Sequence, residues 1–382
     1  MYLLTPEQAA FEQKVKAVAE ERIRPYAQHI DEHEEFPRTS YEAFKDSGLL
    51  KVALPPAYGG LRADTVTLCL MVKTIAQVSP SSSLLVFPTA AVIRTIAGTA
   101  TPEQQERFFS QMQAGDKMCG FCLTEPNYGS DAGSLQTRAE YDGDDFIING
   151  TKSYITIGEY AHYYLVFVRT GPGKGSRGVS AIVVERDTPG LSFGKKERKM
   201  GLWGSVTQEM IFQDARVPAA NVLSGVGEGW GVLTNHSNPM RLWGAASMSM
   251  GISEAAFGEA LAYAKKRVQF KKQIGRFQAV QFMLADMKIR LETVRSFILE
   301  SARLIDSGEA PFKEIEARVS IAKCYASDMA IQNAIDAVQI FGAAGIERGS
   351  RVERLMRDAK AIQIFDGSNQ VQRMVVARNI LI

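Results

Sequence analysis

The chain has 382 residues, enough to bury an ample core across two or three domains. Its 44 Lys and Arg balance 42 Asp and Glu, so neither nucleic acid nor an anionic membrane is implied as a partner. Four cysteines are too few for a disulfide framework, no apolar run approaches the roughly 18 residues of a spanning helix, and the opening "MYLLTPEQAAFEQ" lacks a signal-peptide core; no membrane insertion is expected, and the cytoplasm is the expected address.

Residues 1–117 read as a helical domain. Thr5 is an N-cap, Pro6 suits the first helical position, and Gln8 completes a capping box. Phe11, Val15, Val18 and Ile23 form an approximate helical stripe. Breaks follow at Pro37, at Pro55-Pro56 and at Gly59-Gly60, and the small-residue-rich run from Thr65 to Ala97 has the composition of a buried helix pair.

Residues 118–224 change period and read as a compact antiparallel β domain. Asp142-Gly143 and Asn149-Gly150 are turn signals between short β-prone runs, "HYYLVFVRT", "VSAIVVE" and "QEMIFQDARV" are strands, and Pro218 is a stop. Two motifs here lead away from their usual chemistry. Cys119-Gly120-Phe121-Cys122 fits C-x-x-C, yet it reads as a short strand running into a Pro turn, and no second pair or adjacent His completes a metal site. Gly173-Lys174-Gly175-Ser176-Arg177-Gly178 fits G-x-G-x-x-G, but a strand follows it where a dinucleotide fingerprint needs a helix, so it is a hairpin loop.

Residues 225–382 are helical again. Val280, Leu284, Met287, Leu291, Val294 and Ile298 alternate steps of four and three, a packing seam that ends at Gly308. A long run from 312 closes at Phe341-Gly342. Near the end, Asp366-Gly367-Ser368-Asn369 interrupts two helical runs, with one helix ending near Phe365 and the next beginning near Gln370. The fold class is α+β, mostly α: an N-terminal helical domain, a middle antiparallel β domain and a C-terminal four-helix-bundle-like domain. By spacing alone Asp366 is a capping carboxylate, with a catalytic acid as the alternative.

The wording around Asp366 adds to this. Met356-Arg357-Asp358-Ala359-Lys360, with Gln363, Gly367, Gln370, Gln372 and Arg373, resembles the C-terminal signature of the acyl-CoA dehydrogenase family, "MRDAK…QIYEGTNQIQR", which carries the catalytic base. The base position holds Asp366, where most members have Glu. "FCLTEPNYGSDAGSLQTRAEYDGDDFIINGTKSYIT" is similar to the family's flavin-contacting passage, with Tyr154 in place of the usual Trp and Ile157 in place of Asn or Ser. "RVQFKKQIGRFQAVQFMLADM" and "QIFGAAG" resemble two further cofactor segments, although Lys271 and Gln273 replace a "G.P" turn and Ala343 replaces a Gly.

The resemblance covers essentially the whole chain and implies an FAD-dependent α,β-dehydrogenation of an acyl-CoA thioester. Asp366 would take the α-proton while flavin N5 accepts the β-hydrogen as hydride, and the Asp366 N–H would help hold the developing enolate oxygen. It assigns the cofactor to Phe121, Leu123, Thr124, Tyr154, Thr156, Arg267, Gln269, Phe270, Gln278, Gln339, Gly342, Ser368 and Gln370, with Arg267 reaching a neighbouring subunit's pyrophosphate. Ser130, Arg241, Gly367 and Arg373 fall to the substrate, and no metal is implied. The alternative base position, just before Arg241, is Met240 and carries no carboxylate. A homotetramer of paired dimers is implied, with an electron-transferring flavoprotein as acceptor. Asp shortens the reach by one methylene, and some alicyclic members are similar in carrying it, so a ring-bearing or branched acyl group is the expected substrate. A nitroalkane-oxidase-like flavoenzyme and a non-catalytic flavin or acyl-CoA binder are the alternatives.

Overall fold

The computed structural model describes residues 4–173 and 175–381. Helices α1 (Pro6–Val18), α2 (Arg24–His33), α3 (Arg38–Ser47), α4 (Thr65–Ala76), α5 (Pro80–Thr99) and α6 (Pro102–Met112) come first. Strands β1 (Cys119–Cys122), β2 (Arg138–Asp142), β3 (Asp145–Thr156), β4 (Tyr163–Arg169), β5 (Val179–Glu185), β6 (Leu191–Lys196), β7 (Thr207–Pro218) and β8 (Val222–Leu223) follow. Then come α7 (Gly229–Gly231), α8 (Ser247–Lys266), the hairpin β9 (Val268–Gln269) and β10 (Lys272–Gln273), α9 (Gln278–Ser307), α10 (Phe312–Phe341), α11 (Ala343–Ile346), α12 (Arg351–Ile362) and α13 (Asn369–Leu381).

Local chemistry accounts for these limits. Thr5 caps α1 in the expected capping box, and Thr101 with Gln104 does the same for α6. Gly308 ends α9 in the left-handed region, as C-terminal glycines do. The near-continuous apolar runs of α4 and α5 lie in the core. Pro80–Thr99 is long and apolar enough to cross a membrane, a correction to the sequence reading, but 78% of its most apolar window is buried inside the protein. Small residues let α8 approach α4, since a Cβ on Gly251 would strike the Lys73 carbonyl.

The sheet runs β6-β7-β3-β2-β4-β5-β8, with β1 beside β4. Its long pairings are antiparallel, but β1 lies parallel to β4, so the sheet is mixed where an antiparallel one was expected. Asp142-Gly143 turns between β2 and β3, as read. Asn149-Gly150 does not turn: it sits inside β3, where the register with β7 shifts and Asn149 exchanges bonds of 3.0 and 2.8 Å with Asp214. Gly150 is needed there because a Cβ would meet Thr137 Cα. Gly173–Gly178 falls between β4 and β5, with Lys174 outside the described residues, and Arg169 holds it through the carbonyls of Gly173, Gly175 and Arg177.

The helical blocks and the sheet lock together at defined points. The Cys119 N–H donates to Thr89 Oγ1 of α5 (3.1 Å), and the Leu202 N–H donates to Asp358 Oδ1 of α12 (2.5 Å). Arg357 pairs with Asp31 of α2 at 2.7 Å. The Arg-Asp pair of the "MRDAK" motif therefore joins three parts of the chain.

Candidate active site

The chain breaks between α12 and α13 because Asp366 and Gly367 both take left-handed backbone angles, φ 56° and 83°. That is ordinary for Gly and strained for Asp, and such strain persists only where surrounding bonds over-determine the turn. Arg241 Nε donates to the Asp366 carbonyl at 2.6 Å. Gln372 Nε2 donates to the carbonyls of Asp366 (3.3 Å) and Gly367 (3.1 Å), and Lys323 Nζ donates to the Gly367 carbonyl at 2.9 Å. Ser368, not Asp366, caps α13 by accepting the Val371 N–H at 3.4 Å. The capping alternative for Asp366 is thereby set aside.

The Asp366 carboxylate is free for other work. Its Oδ2 is sealed from solvent without a hydrogen-bond partner, and no acceptor among the described residues takes the Asp366 N–H. Burial pushes its carboxyl above the usual Asp range, and the nearby Arg241 and Lys323 cations pull only part of the way back. Burial also pushes the Arg241 guanidinium down against the attraction of Asp366 and Glu316.

The expected ring-contacting residues gather on the sheet. Phe121 lies on β1 beside buried Phe167, their rings 5.2 Å apart. Leu123 and Thr124 continue from it, and the Ser153 N–H donates to the Thr124 carbonyl at 2.9 Å, tying this segment to Tyr154 and Thr156 at the end of β3. A register shift between Lys152 and Ile155 leaves Tyr154 at φ 57° with its side chain turned outward, 59% exposed. Beneath them, fully buried Lys152 donates to the Leu123 carbonyl (3.2 Å) and Glu125 (2.8 Å), while Glu125 accepts the N–H groups of Gln136 and Thr137. Ser130 lies exposed in the loop after β1.

Arg267, Gln269, Phe270, Gln278, Gln339 and Gly342 form a second group at one end of the C-terminal helices, where Tyr263 stacks on Phe341 at 4.1 Å. All six are exposed, Phe270 at 87%. The Arg267 guanidinium has no ion pair or side-chain hydrogen bond among the described residues, and none joins this group to the sheet group. Gln370 is exposed on α13. Arg373 binds Asp328 Oδ2 at 2.7 Å and the Asn369 carbonyl at 3.3 Å, which gives it work within the chain.

The residues present fit a flavin: an outward aromatic ring and half-buried apolar neighbours suit an aromatic face, and an exposed unpaired guanidinium suits a pyrophosphate. Cys119 and Cys122 are both buried, with thiols pushed up by burial, so neither is a reactive thiolate. Among the described residues no cluster of His, Cys, Asp and Glu could hold a metal.

Sequence reasoning missed Lys323, Asn369 and the Lys152–Glu125 pair. The signal for Lys323 was a single cation on the inward face of an Ala- and Ile-rich run, and for Lys152 a cation at a buried strand position.

The chain matches three family models: acyl-CoA dehydrogenase N-terminal domain over residues 5–116, middle domain over 120–215 and C-terminal domain over 227–381. It is 39% identical to an acyl-CoA dehydrogenase of Bacillus subtilis over 99% of each chain. It is also 39% identical to cyclohex-1-ene-1-carbonyl-CoA dehydrogenase of Geobacter metallireducens, again over 99% of each. The solved butyryl-CoA dehydrogenase of Megasphaera elsdenii is similar over the full length of both chains, with a TM-score of 0.95 at 34% identity.

Proposed function

Since this chain belongs to the acyl-CoA dehydrogenase family, FAD-binding oxidoreductases that act on CH–CH donors, we propose that Asp366 is its catalytic base and that its acyl group is cyclic or branched at the α-carbon. The observation that carries this reading is the Asp366 Oδ2, sealed from solvent without a hydrogen-bond partner on a half-buried residue whose backbone N–H is unclaimed among the described residues.

Asp366 removes the α-proton as the thioester carbonyl gains enolate character, and its own N–H donates to that oxygen. Bound FAD supplies the acceptor for the β-hydrogen and its electron pair. Phe121, Leu123, Thr124, Tyr154, Thr156, Ser368 and Gln370 hold the flavin from this chain. Arg267, Gln269, Phe270, Gln278, Gln339 and Gly342 hold the flavin of a neighbouring copy, which accounts for two groups that no ion pair or hydrogen bond joins among the described residues. Ser130 and Arg373 lie toward the CoA portion. Arg241 and Gly367 act through the turn that carries the base. We extend the reading to a homotetramer of paired dimers in the cytoplasm, passing electrons to an electron-transferring flavoprotein.

The preference for a ring follows from reach. Asp falls short of Glu by one methylene, about 1.5 Å, and misplacement on that scale costs some hundredfold in rate. A bulkier α-carbon that sits nearer the carboxylate offsets the deficit, and similarity to a cyclohexene-carbonyl-CoA dehydrogenase supports this. Anaerobic titration with cyclohexanecarbonyl-, butyryl- and octanoyl-CoA, following flavin absorbance, tests it. Fastest bleaching by the cyclic thioester is expected; a clear preference for either straight chain would overturn the substrate assignment.

A further inference from the structure

We propose that Lys323 is a positioning residue for proton abstraction: its ammonium, sealed from solvent on α10, holds the Gly367 carbonyl and the Asn369 side chain and thereby fixes the turn that aims the Asp366 carboxylate. This rests on the reading of Asp366 as base.

Lys323 is completely buried, an arrangement that is strongly unfavourable unless the ammonium is bonded and charge-compensated. It donates to the Gly367 carbonyl and to Asn369 Oδ1, each at 2.9 Å. Asn369 begins α13 and is itself buried; its amide reaches the Cys324 carbonyl (3.2 Å), Ser327 Oγ (2.9 Å) and Asp328 Oδ1 (2.7 Å). Lys323 and Ser327 are four apart on α10, so both face the turn. Asp328 accepts Gln363 from the end of α12 at 2.6 Å as well. α10 thus holds the first residue after α12, the left-handed turn and the first residue of α13.

Without the ammonium, the Gly367 carbonyl keeps, among the described residues, only Gln372, whose single amide already serves two carbonyls. A second consequence is electrostatic. Asp366 and Arg241 act on Lys323 from across the turn and Asp328 and Cys324 from its own helix, while Glu316, also on α10, acts on Arg241. Burial pushes Lys323 down to about 8, and its charge opposes the burial that raises Asp366. It acts on both the direction of the carboxylate and the fraction ionised.

The test compares Lys323→Gln, Lys323→Arg, Asn369→Ala and Asp366→Asn as FAD-loaded enzymes, measuring flavin content, acyl-CoA affinity and the pH profile of flavin reduction by cyclohexanecarbonyl-CoA. Lys323→Gln should keep flavin and bind acyl-CoA, lose ten- to a hundredfold in reduction rate, and move the ionisation limb to higher pH. Lys323→Arg should leave the limb in place, and Asn369→Ala should slow reduction without moving it. A Lys323→Gln rate within twofold of wild type on an unmoved limb overturns the proposal, as does a loss that merely parallels lost flavin. If Lys323→Gln does not fold, an Asn369→Ala enzyme of unchanged rate overturns it and a slowed one supports it. Asp366→Asn separates the two readings: wild-type reduction in that variant removes the base assignment, whatever Lys323 does.

Discussion

Arg241 Nε and the Asp366 carbonyl oxygen lie 2.6 Å apart, although 125 positions separate them in the chain. The bond forms because Arg241 opens a π-helical stretch, Leu242–Ala246, that presents its side chain to the turn between α12 and α13. The same guanidinium lowers the Asp366 carboxyl against burial. The base proposed at Asp366 must be ionised to take a proton, so the rate is expected to rise with pH through the Asp366 value. Arg241→Met should move that rise to higher pH and slow flavin reduction on its acidic side. Stopped-flow reduction across pH 5–9 measures it, with Arg241→Lys as the charge-retaining control; an unmoved rise would show that the guanidinium has no hold on the base.

Substitution at Asp366 separates acid–base work from reach. Asp366→Asn should retain flavin and acyl-CoA while losing about 10²–10⁴-fold in reduction rate, the usual share of a general base. Asp366→Glu restores the missing methylene and should raise the ratio of butyryl- to cyclohexanecarbonyl-CoA turnover by up to about a hundredfold. Reduction rates with both thioesters give the ratio, and an unchanged value would detach substrate choice from side-chain length.

The alternation of helices, strands and helices was legible because each block has its own hydrophobic period, and Thr5 and Gly308 marked helix ends through local chemistry. Asn149-Gly150 misled because the same dipeptide that turns a hairpin also accommodates a bulge; only the long-range pairing of β3 with β7 distinguishes them. Asp366 stood out through its motif, but what surrounds it did not. Arg241, Lys323 and Gln372 meet at that turn from three separate elements, and no local pattern encodes a contact made across 44 or 125 positions. The left-handed backbone of Tyr154 and Asp366 was hidden for a related reason: neither residue favours it, so the surrounding bonds impose it.

The Lys152–Glu125 pair supports the Leu123–Thr124 segment and the end of β3 from inside the sheet. Lys152→Met leaves Glu125 buried and unpaired and withdraws the donor from the Leu123 carbonyl, so a loss of about 3–5 kcal/mol is expected. Neutralising the partner as well, in Lys152→Met with Glu125→Gln, should recover part of that loss, because the amide oxygen can still accept from Gln136 or Thr137. Urea unfolding of the single and double variants, with flavin content followed alongside, measures both effects. Equal stability of the single variant and wild type would mean that the pair contributes nothing net.

His162 gives the fold a pH dependence of defined sign. Its Nδ1 accepts the Met118 N–H at 3.2 Å, just before β1 begins, so the ring works as a neutral acceptor. Burial first, then the Lys117 and Arg186 cations, lower it from 6.5 to about 4. The unfolded chain therefore takes up a proton at a higher pH than the folded one. Stability from this group is fully present above pH 6.5 and is lost as pH falls from 6.5 toward 4. His162→Asn keeps an acceptor near Nδ1 and removes the titration. Its melting temperature should fall less steeply than wild type across that window, even if it starts lower at neutral pH. Parallel melting curves from pH 7.5 to 4 read the difference, and identical slopes would show that His162 titrates alike in both states.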